Sequence, residues 1–214
     1  MNIVRPFIVD GVGKSVDLIP ILEHATKVLN AAGVKTINPI IYSPVEFKHP
    51  LVKYFKIPKL NYRDYNNFVV RLNEVWDEDC YGLLCQHDGF PLNPERWTDI
   101  FFDYDYIGAP WGVGLVHNGH LMKSRVGNGG FSLRSTNLFK QCAYLPVDGE
   151  NEDFTICEIY KSHLESNGIK FAPVDIAAQF SYEVPLPDYE NTIYNSFGFH
   201  GKQPREEVRQ HYGL

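Results

Sequence analysis

The first forty residues alternate in a way that few folds can accommodate. "RPFIVD" (residues 5–10) is a short apolar run, and "SVDLIPILEHATKVLNAAG" (15–33) has apolar residues at helical spacing and a glycine stop. "VKTINPIIYS" (34–43) is extended again. The alternation continues downstream. "NYRDYNNFVVRLNEVWDED" (61–79) predicts a helix capped by Asp64 or Asn66, with Phe68, Val69, Leu72, Val75 and Trp76 on its apolar face. "CYGLLCQHDGF" (80–90) is a compact buried strand, and "NPERWTDIFFDYDYIGAPW" (93–111) is a short helix leading into another extended piece. "VGNGGFSLRSTNLFKQCAYL" (126–145) predicts a strand, a Ser/Thr cap and a helix, and "NEDFTICEIYKSHLESNG" (151–168) a helix with a glycine stop. Strands alternating with helices imply an α/β sandwich around a mostly parallel sheet. In such sheets ligands bind beyond the carboxyl ends of the strands, which directs attention to the residues after "GLLC".

Composition removes several function classes. At 214 residues, 44% hydrophobic and 21% charged, the chain is long and apolar enough to bury a core. A formal net charge of −6 with no long basic run argues against binding nucleic acid through many phosphates. No apolar run approaches the ~18 residues of a membrane span, and the amino terminus lacks the pattern of a signal peptide. Cys80, Cys85, Cys142 and Cys157 are scattered and read as buried free thiols of a reducing, cytoplasmic compartment.

Two apparent motifs fail on spacing. "DGVGKS" (10–15) suggests a phosphate loop, but Ile8 stands where the first glycine must close the turn. His117 and His120 in "HNGH" suggest a metal pair, but no Cys/His cluster lies near them, and a surface loop is expected.

Three places offer close-set acids to a metal. Asp77-Glu78-Asp79 precedes the apolar run and therefore sits at the wrong end of that strand. Asp103 and Asp105 flank a tyrosine and can share a strand face, lining a site or forming a polar edge. Gln86-His87-Asp88 keeps one acid, but at a strand's carboxyl end, where Mg²⁺ or Mn²⁺ bridging a diphosphate needs only one or two carboxylates. Asp88 alone reads equally well as a turn residue. Downstream, Gly127, Gly129 and Gly130 are costly in a strand unless something approaches the backbone or the strand is bulged. Glu150, Glu152 and Asp153 open a helix, where acids suit the dipole and one can also serve as a base. His200, between Gly198 and Gly201, sits in an aromatic turn and can supply a late metal ligand.

In order along the chain, "CQHDGF", "DYDYIGAPW", "VGNGGFSLRS", "NEDFTICEIY", "FAPVDIAAQFSYE" and "FGFHG" resemble a family of predicted glycosyltransferases from bacteria, microbial eukaryotes and large viruses, long catalogued as a domain of unknown function. The resemblance covers roughly residues 65–201. It implies a GT-A-like three-layer α/β sandwich with a mostly parallel central sheet and a small antiparallel element. One domain is implied, with a nucleotide-binding half over about 1–90 and an acceptor half over about 91–214. The implied reaction moves a hexosyl or deoxyhexosyl group from a nucleotide-diphosphate sugar, such as a UDP-sugar, to a glycan or glycoprotein acceptor, with Mn²⁺ or Mg²⁺. By the same resemblance, Asp88 matches the last acid of the metal motif and His200 the late ligand. Gly129 and Gly130 match the strand under the donor sugar, and Glu152 and Asp153 the acidic pair that faces the acceptor. Gln86 and His87 fall on the donor side, with Arg134 as a phosphate contact unless simply exposed. Asp105 and Trp111 read as sugar contacts, polar and stacking respectively, or as packing residues. Gln86 departs from the motif, since many such enzymes carry a first Asp there. A non-catalytic sugar-binding module of the same fold, or a glycan hydrolase, are the rival readings. A bacterial or host-cell cytoplasmic location goes with the resemblance.

Overall fold

The computed structural model describes residues 2–76 and 78–212. The chain enters as β1 (Ile3–Val9), and α1 (Ser15–Ala31) crosses to β2 (Lys35–Thr36) and β3 (Ile40–Ser43), both parallel to β1. β4 (Lys53–Lys56) extends the parallel edge beyond β3. α2 (Tyr62–Val70) leads to β5 (Tyr81–Leu84), which is parallel to β1 on its other side. A tight turn joins β5 to β6 (Gly89–Pro91), and two 3₁₀ turns precede β7 (Tyr106–Pro110). The hairpin β8 (Val116–His117) and β9 (His120–Leu121) follows, and β10 (Val126–Arg134) then inserts antiparallel between β5 and β7. α3 (Thr136–Cys142), α4 (Glu152–Phe154), a π turn over 155–159 and α5 (Lys161–Ser166) pack on that side. α6 (Val174–Phe180), β11 (Ser181–Tyr182), β12 (Gly198–His200) and α7 (Lys202–Tyr212) complete the fold.

Among the described residues the main sheet has seven strands in the order β4-β3-β1-β5-β10-β7, with β2 beside β1. A second sheet, β11-β12-β6, includes the antiparallel pair β12–β6. The central strands are mainly apolar because helices cover both faces, with Arg5 in β1 and Asn128, Ser132 and Arg134 in β10 as polar exceptions. On one face Val4, Ile8, Leu83 and Leu133 pack under Leu22, Ala25 and Leu29 of α1 and Phe180 of α6. On the other, Phe7, Val9, Tyr42 and Leu84 meet Val69 of α2, Trp76 and Phe139 of α3. That is the three-layer α/β sandwich, with all four cysteines buried. No helix among the described residues is long and apolar enough to cross a membrane.

Two local expectations change. The cap of α2 is Asn61, whose side chain accepts from the Asp64 amide at 2.9 Å, so the helix starts before Asp64 and Asn66. Asn66 instead faces inward, bonding the Tyr62 carbonyl and accepting from the Glu152 amide. "HNGH" is a hairpin rather than an irregular loop: Asn118 and Gly119 both have positive φ, as a tight two-residue turn requires. Of the acidic run at 77–79, Asp77 lies outside the described residues, and Glu78 pairs with Arg5 at 2.8 Å.

Register fixes which chain ends share an edge of the sheet. Arg134 pairs with both Gly82 and Tyr106, and Ser132 with both Leu84 and Gly108. The residues after β5, the end of β7 and the beginning of β10 therefore gather at one edge, together with the end of β1.

Candidate active site

Beyond β1 and β5 that edge opens into a cleft of about 600 Å³. One wall is the loop after β1. The Asp10 carboxylate accepts from the amides of Val12 (3.2 Å) and Gly13 (2.8 Å) and from the hydroxyls of Ser15 (2.7 Å) and Ser43 (2.9 Å). Burial alone would raise its pKa, but these donors outweigh burial and hold it below the usual carboxylate value. "DGVGKS" is thus a loop folded around its own acid, its amides already taken, with Gly13 at φ 90°. The opposite wall carries Tyr65, Gln86, His87 and Arg205. Gln86 Nε2 donates to the Tyr65 hydroxyl at 2.8 Å, while His87 is exposed. Arg205, on α7, has a buried Nη1 with no hydrogen-bond partner. Nothing in the local sequence singles it out, because only the packing of α7 brings it to the cleft.

Asp88 is 8% exposed, and among the described residues its Oδ1 accepts no hydrogen bond, with His87 Nδ1 at 3.4 Å. The Gly201 amide donates to the Asp88 carbonyl at 2.7 Å, which ties the turn after β5 to the residue following His200. His200 Nδ1 lies 3.3 Å from Glu183 Oε1. Burial, taken alone, would lower the His200 pKa, but Glu183, Asp88 and Asp153 together raise it above the ordinary imidazole value.

β10 is bulged at the centre of the site. Asn128 pairs with Ala109 and Ser132 with Gly108, so Gly129, Gly130 and Phe131 are extra residues against one step of β7. The glycines are required by their neighbours. A Cβ on Gly129 would lie 1.9 Å from Glu152 Oε1, and one on Gly130 would lie 2.0 Å from His200 Nε2. Asn128 braces the bulge, its Oδ1 accepting from the Gly130 amide and its Nδ2 donating to Glu183 at 2.7 Å.

On the other side of the glycines is a pocket of about 270 Å³, walled by Trp111, Asn128, Asp153, Phe154 and Glu183. Asp153 Oδ2 accepts from the Gly129 amide at 3.1 Å and Oδ1 from the Phe154 amide at 2.7 Å. Burial, and then the Glu152 charge beside it, push its pKa up to about 7, against the pull of those amides and of Arg134. Trp111 is buried, with its ring against Gly127, where a Cβ would meet it at 2.3 Å.

Two expected contacts lie elsewhere. Arg134 is not exposed: its side chain is 1% accessible, bonded through Nη2 to both Glu152 oxygens at 3.0 and 2.9 Å and set over the Tyr106 ring. A guanidinium committed to a buried pair has no reach to a phosphate in the cleft. The same pair turns Glu152 inward, so Glu152 acts on the site through its charge on Asp153. Asp105 precedes β7 at the far edge of the sheet, where it accepts from the Ser135 hydroxyl and from the Lys170 amide at 2.9 Å. It ties α3 and the β7 entry together, away from any sugar pocket.

Asp88 and His200 each carry donor chemistry that a divalent cation uses. Asp88 offers an unsatisfied buried oxygen, and His200 carries the carboxylate partner on Nδ1 that metal-binding imidazoles commonly have. Among the described residues no three His, Cys, Asp or Glu side chains converge on one point, so a diphosphate and water must complete any shell.

A family model described as "Protein of unknown function (DUF5672)" matches residues 52–200. No curated protein sequence matches. Among solved structures, a glycosyltransferase involved in the glycosylation of the major capsid of PBCV-1 aligns over 100% of both chains, with a TM-score of 0.55 at 13% identity. A mutant Drosophila β-1,4-galactosyltransferase 7, in complex with manganese, UDP-Gal and xylobiose, aligns over 97% of this chain and 74% of that one (TM-score 0.47, 14% identity). The galactosyltransferase LgtC, in complex with donor and acceptor sugar analogues, aligns over 94% and 86% (TM-score 0.47, 13% identity). At these identities the likeness is one of fold, and the end-to-end alignment with the capsid glycosyltransferase makes that fold GT-A-like.

Proposed function

The chain belongs to this family, whose description names no activity, and we propose that it is a glycosyltransferase taking a hexosyl or deoxyhexosyl group from a nucleotide-diphosphate sugar to a hydroxyl acceptor. The observation that carries this reading is Asp153: a carboxyl with a pKa of about 7, oriented by the Gly129 and Phe154 amides at the wall of a small pocket. A base tuned near neutral pH is what deprotonating a sugar hydroxyl calls for. The donor would occupy the cleft beyond β1 and β5, so that residues up to about 90 serve the nucleotide and later residues the acceptor, with Arg205 reaching across. Arg205 and Lys14 would meet the diphosphate there.

In the reaction, the acceptor hydroxyl gives its proton to Asp153 as its oxygen bonds to the anomeric carbon. The bond from that carbon to the diphosphate oxygen breaks, and the nucleoside diphosphate leaves. Glu152, paired to Arg134, keeps Asp153 a stronger base than an ordinary carboxylate. Asp88 and His200 would hold Mn²⁺ or Mg²⁺, which supplies neutralising charge for the departing diphosphate. With Gln86 in place of a second acid, Arg205 carries more of that task. The four buried cysteines fit a reducing cytoplasm.

A thermal-shift panel of nucleotide sugars with and without Mn²⁺ identifies the donor, and release of nucleoside diphosphate on adding glycan acceptors then measures transfer. Stabilisation by donors without turnover on any acceptor would leave a binding module. Release of free sugar without acceptor dependence would leave a hydrolase.

A further inference from the structure

The β8–β9 hairpin and the segment from α4 to α5 face each other across a second, larger groove of about 760 Å³. His117 and Phe154 line both this groove and the Asp153 pocket, so the two adjoin. His117 Nε2 lies 3.3 Å from Glu150, with its ring 4.4 Å from that of Phe154. His120 Nε2 lies 2.9 Å from Glu158, which also accepts from the Lys123 and Ser124 amides at 3.0 and 2.7 Å. Lys161 on α5 is 4.0 Å from Glu165. Each of these carboxylates faces a cation or a proton donor. The wall is therefore dense in hydrogen-bonding groups without presenting one sign of charge.

We infer that this groove is an extended acceptor subsite that holds a neutral oligosaccharide, with the chain's terminal sugar in the smaller pocket beside Asp153. The inference rests on the glycosyltransferase reading and adds to it the class of acceptor: a preformed glycan chain, which an earlier glycosyl transfer must supply. Hydroxyls both donate and accept, so a sugar chain can bridge alternating imidazoles and carboxylates without breaking either pair. The imidazole faces beside Phe154 offer flat surfaces for sugar C–H groups. A sulfated or carboxylated chain would bring its charge against Glu150, Glu158 and Glu165. A basic peptide would have to displace His120 and Lys161 from their partners. The volumes point the same way, since about 760 Å³ of groove extends beyond a pocket of about 270 Å³.

The test is binding without turnover. The full-length protein is applied to an array of immobilised neutral, sulfated and sialylated glycans from monosaccharides upward, together with basic peptides. The expected result is binding confined to neutral chains longer than a disaccharide. Ser162→Trp, at an exposed position on the groove wall, is expected to weaken that binding by about tenfold or more, with the melting temperature unchanged as the check on folding. Preference for charged glycans or peptides, equal binding of monosaccharides, no binding at all, or a Ser162→Trp variant that binds like the parent each overturns the groove. Nucleoside diphosphate release, assayed separately, distinguishes the two claims. Array binding with no release on any donor sinks the transferase and keeps the groove. Release with a monosaccharide acceptor and a silent array does the reverse.

Discussion

In the proposed reaction Asp153 takes the acceptor proton, and its environment makes a pH prediction. Burial and Glu152 raise its pKa to about 7, so the basic form is lost below that value. Transfer is expected to rise with pH through about 7 and then level, and Asp153→Asn to lower turnover roughly 10²–10⁴-fold while donor binding persists, measured by nucleoside diphosphate release and calorimetry. Stability carries the opposite sign. A carboxyl whose folded pKa exceeds its unfolded value of 3.8 binds more protons when folded, so its ionisation weakens the fold as pH rises through that interval. The Asn variant should therefore melt higher than the parent at pH ~8, with the difference vanishing near pH ~4. On the donor side, Asp88→Ala should abolish the Mn²⁺-dependent part of nucleotide-sugar binding, and Arg205→Ala should weaken binding with or without metal. Calorimetry in EDTA and in Mn²⁺ separates the two, and Asp88→Ala binding that stays metal-dependent would end the assignment. His200, read in an aromatic turn, ends β12, and Asp88 and Asp153 were legible as acids at a strand end and a helix start. Arg205, Asn128 and Glu183 were not, because each acts through a partner distant in sequence: Glu183 is 55 residues from Asn128 and 17 from His200.

The bulge in β10 is the element that assembles the site. In sequence its glycines left open a close approach to a ligand or a bulged strand, and they form a bulge whose backbone is pressed by Glu152 and His200. Gly129→Ala would drive a methyl group into the buried Arg134–Glu152 pair, where breaking such a pair costs roughly 3–5 kcal/mol. At roughly 2–4 °C per kcal/mol for a chain of this size, a fall in melting temperature of roughly 6–20 °C is expected by calorimetry. A fall under about 2 °C would show that the pair can move aside. The hairpin carrying "HNGH" shows the limit of motif reading. Asn118-Gly119 is a strong turn signal, but the partners of the two histidines, Glu150 and Glu158, lie 33 and 38 residues away.

At the scale of the molecule, two pockets on either side of one bulged strand make ligand binding and folding a single equilibrium. A nucleotide sugar at 100 times its dissociation constant adds about 2.7 kcal/mol, or roughly 5–11 °C in melting temperature. The donor panel should show shifts of that size for the true donor, and shifts no larger than those of free nucleotide monophosphates would speak against a diphosphate cleft. The alternation of strands and helices, the mainly apolar strands and the burial of the cysteines were determined by the sequence alone, because hydrophobic period and burial are local properties that any sandwich of this kind must satisfy. So was the address of Asp88, since side chains at strand ends meet ligands in such sheets whatever the loops do. Only the tertiary structure decided that Arg134 pairs inward with Glu152, that Asp105 sits at the far edge, and that Arg205 crosses to the cleft beyond β1 and β5. Those outcomes depend on register and on helices packing across more than a hundred residues, and the free energy of a charge depends on which partner that packing places beside it.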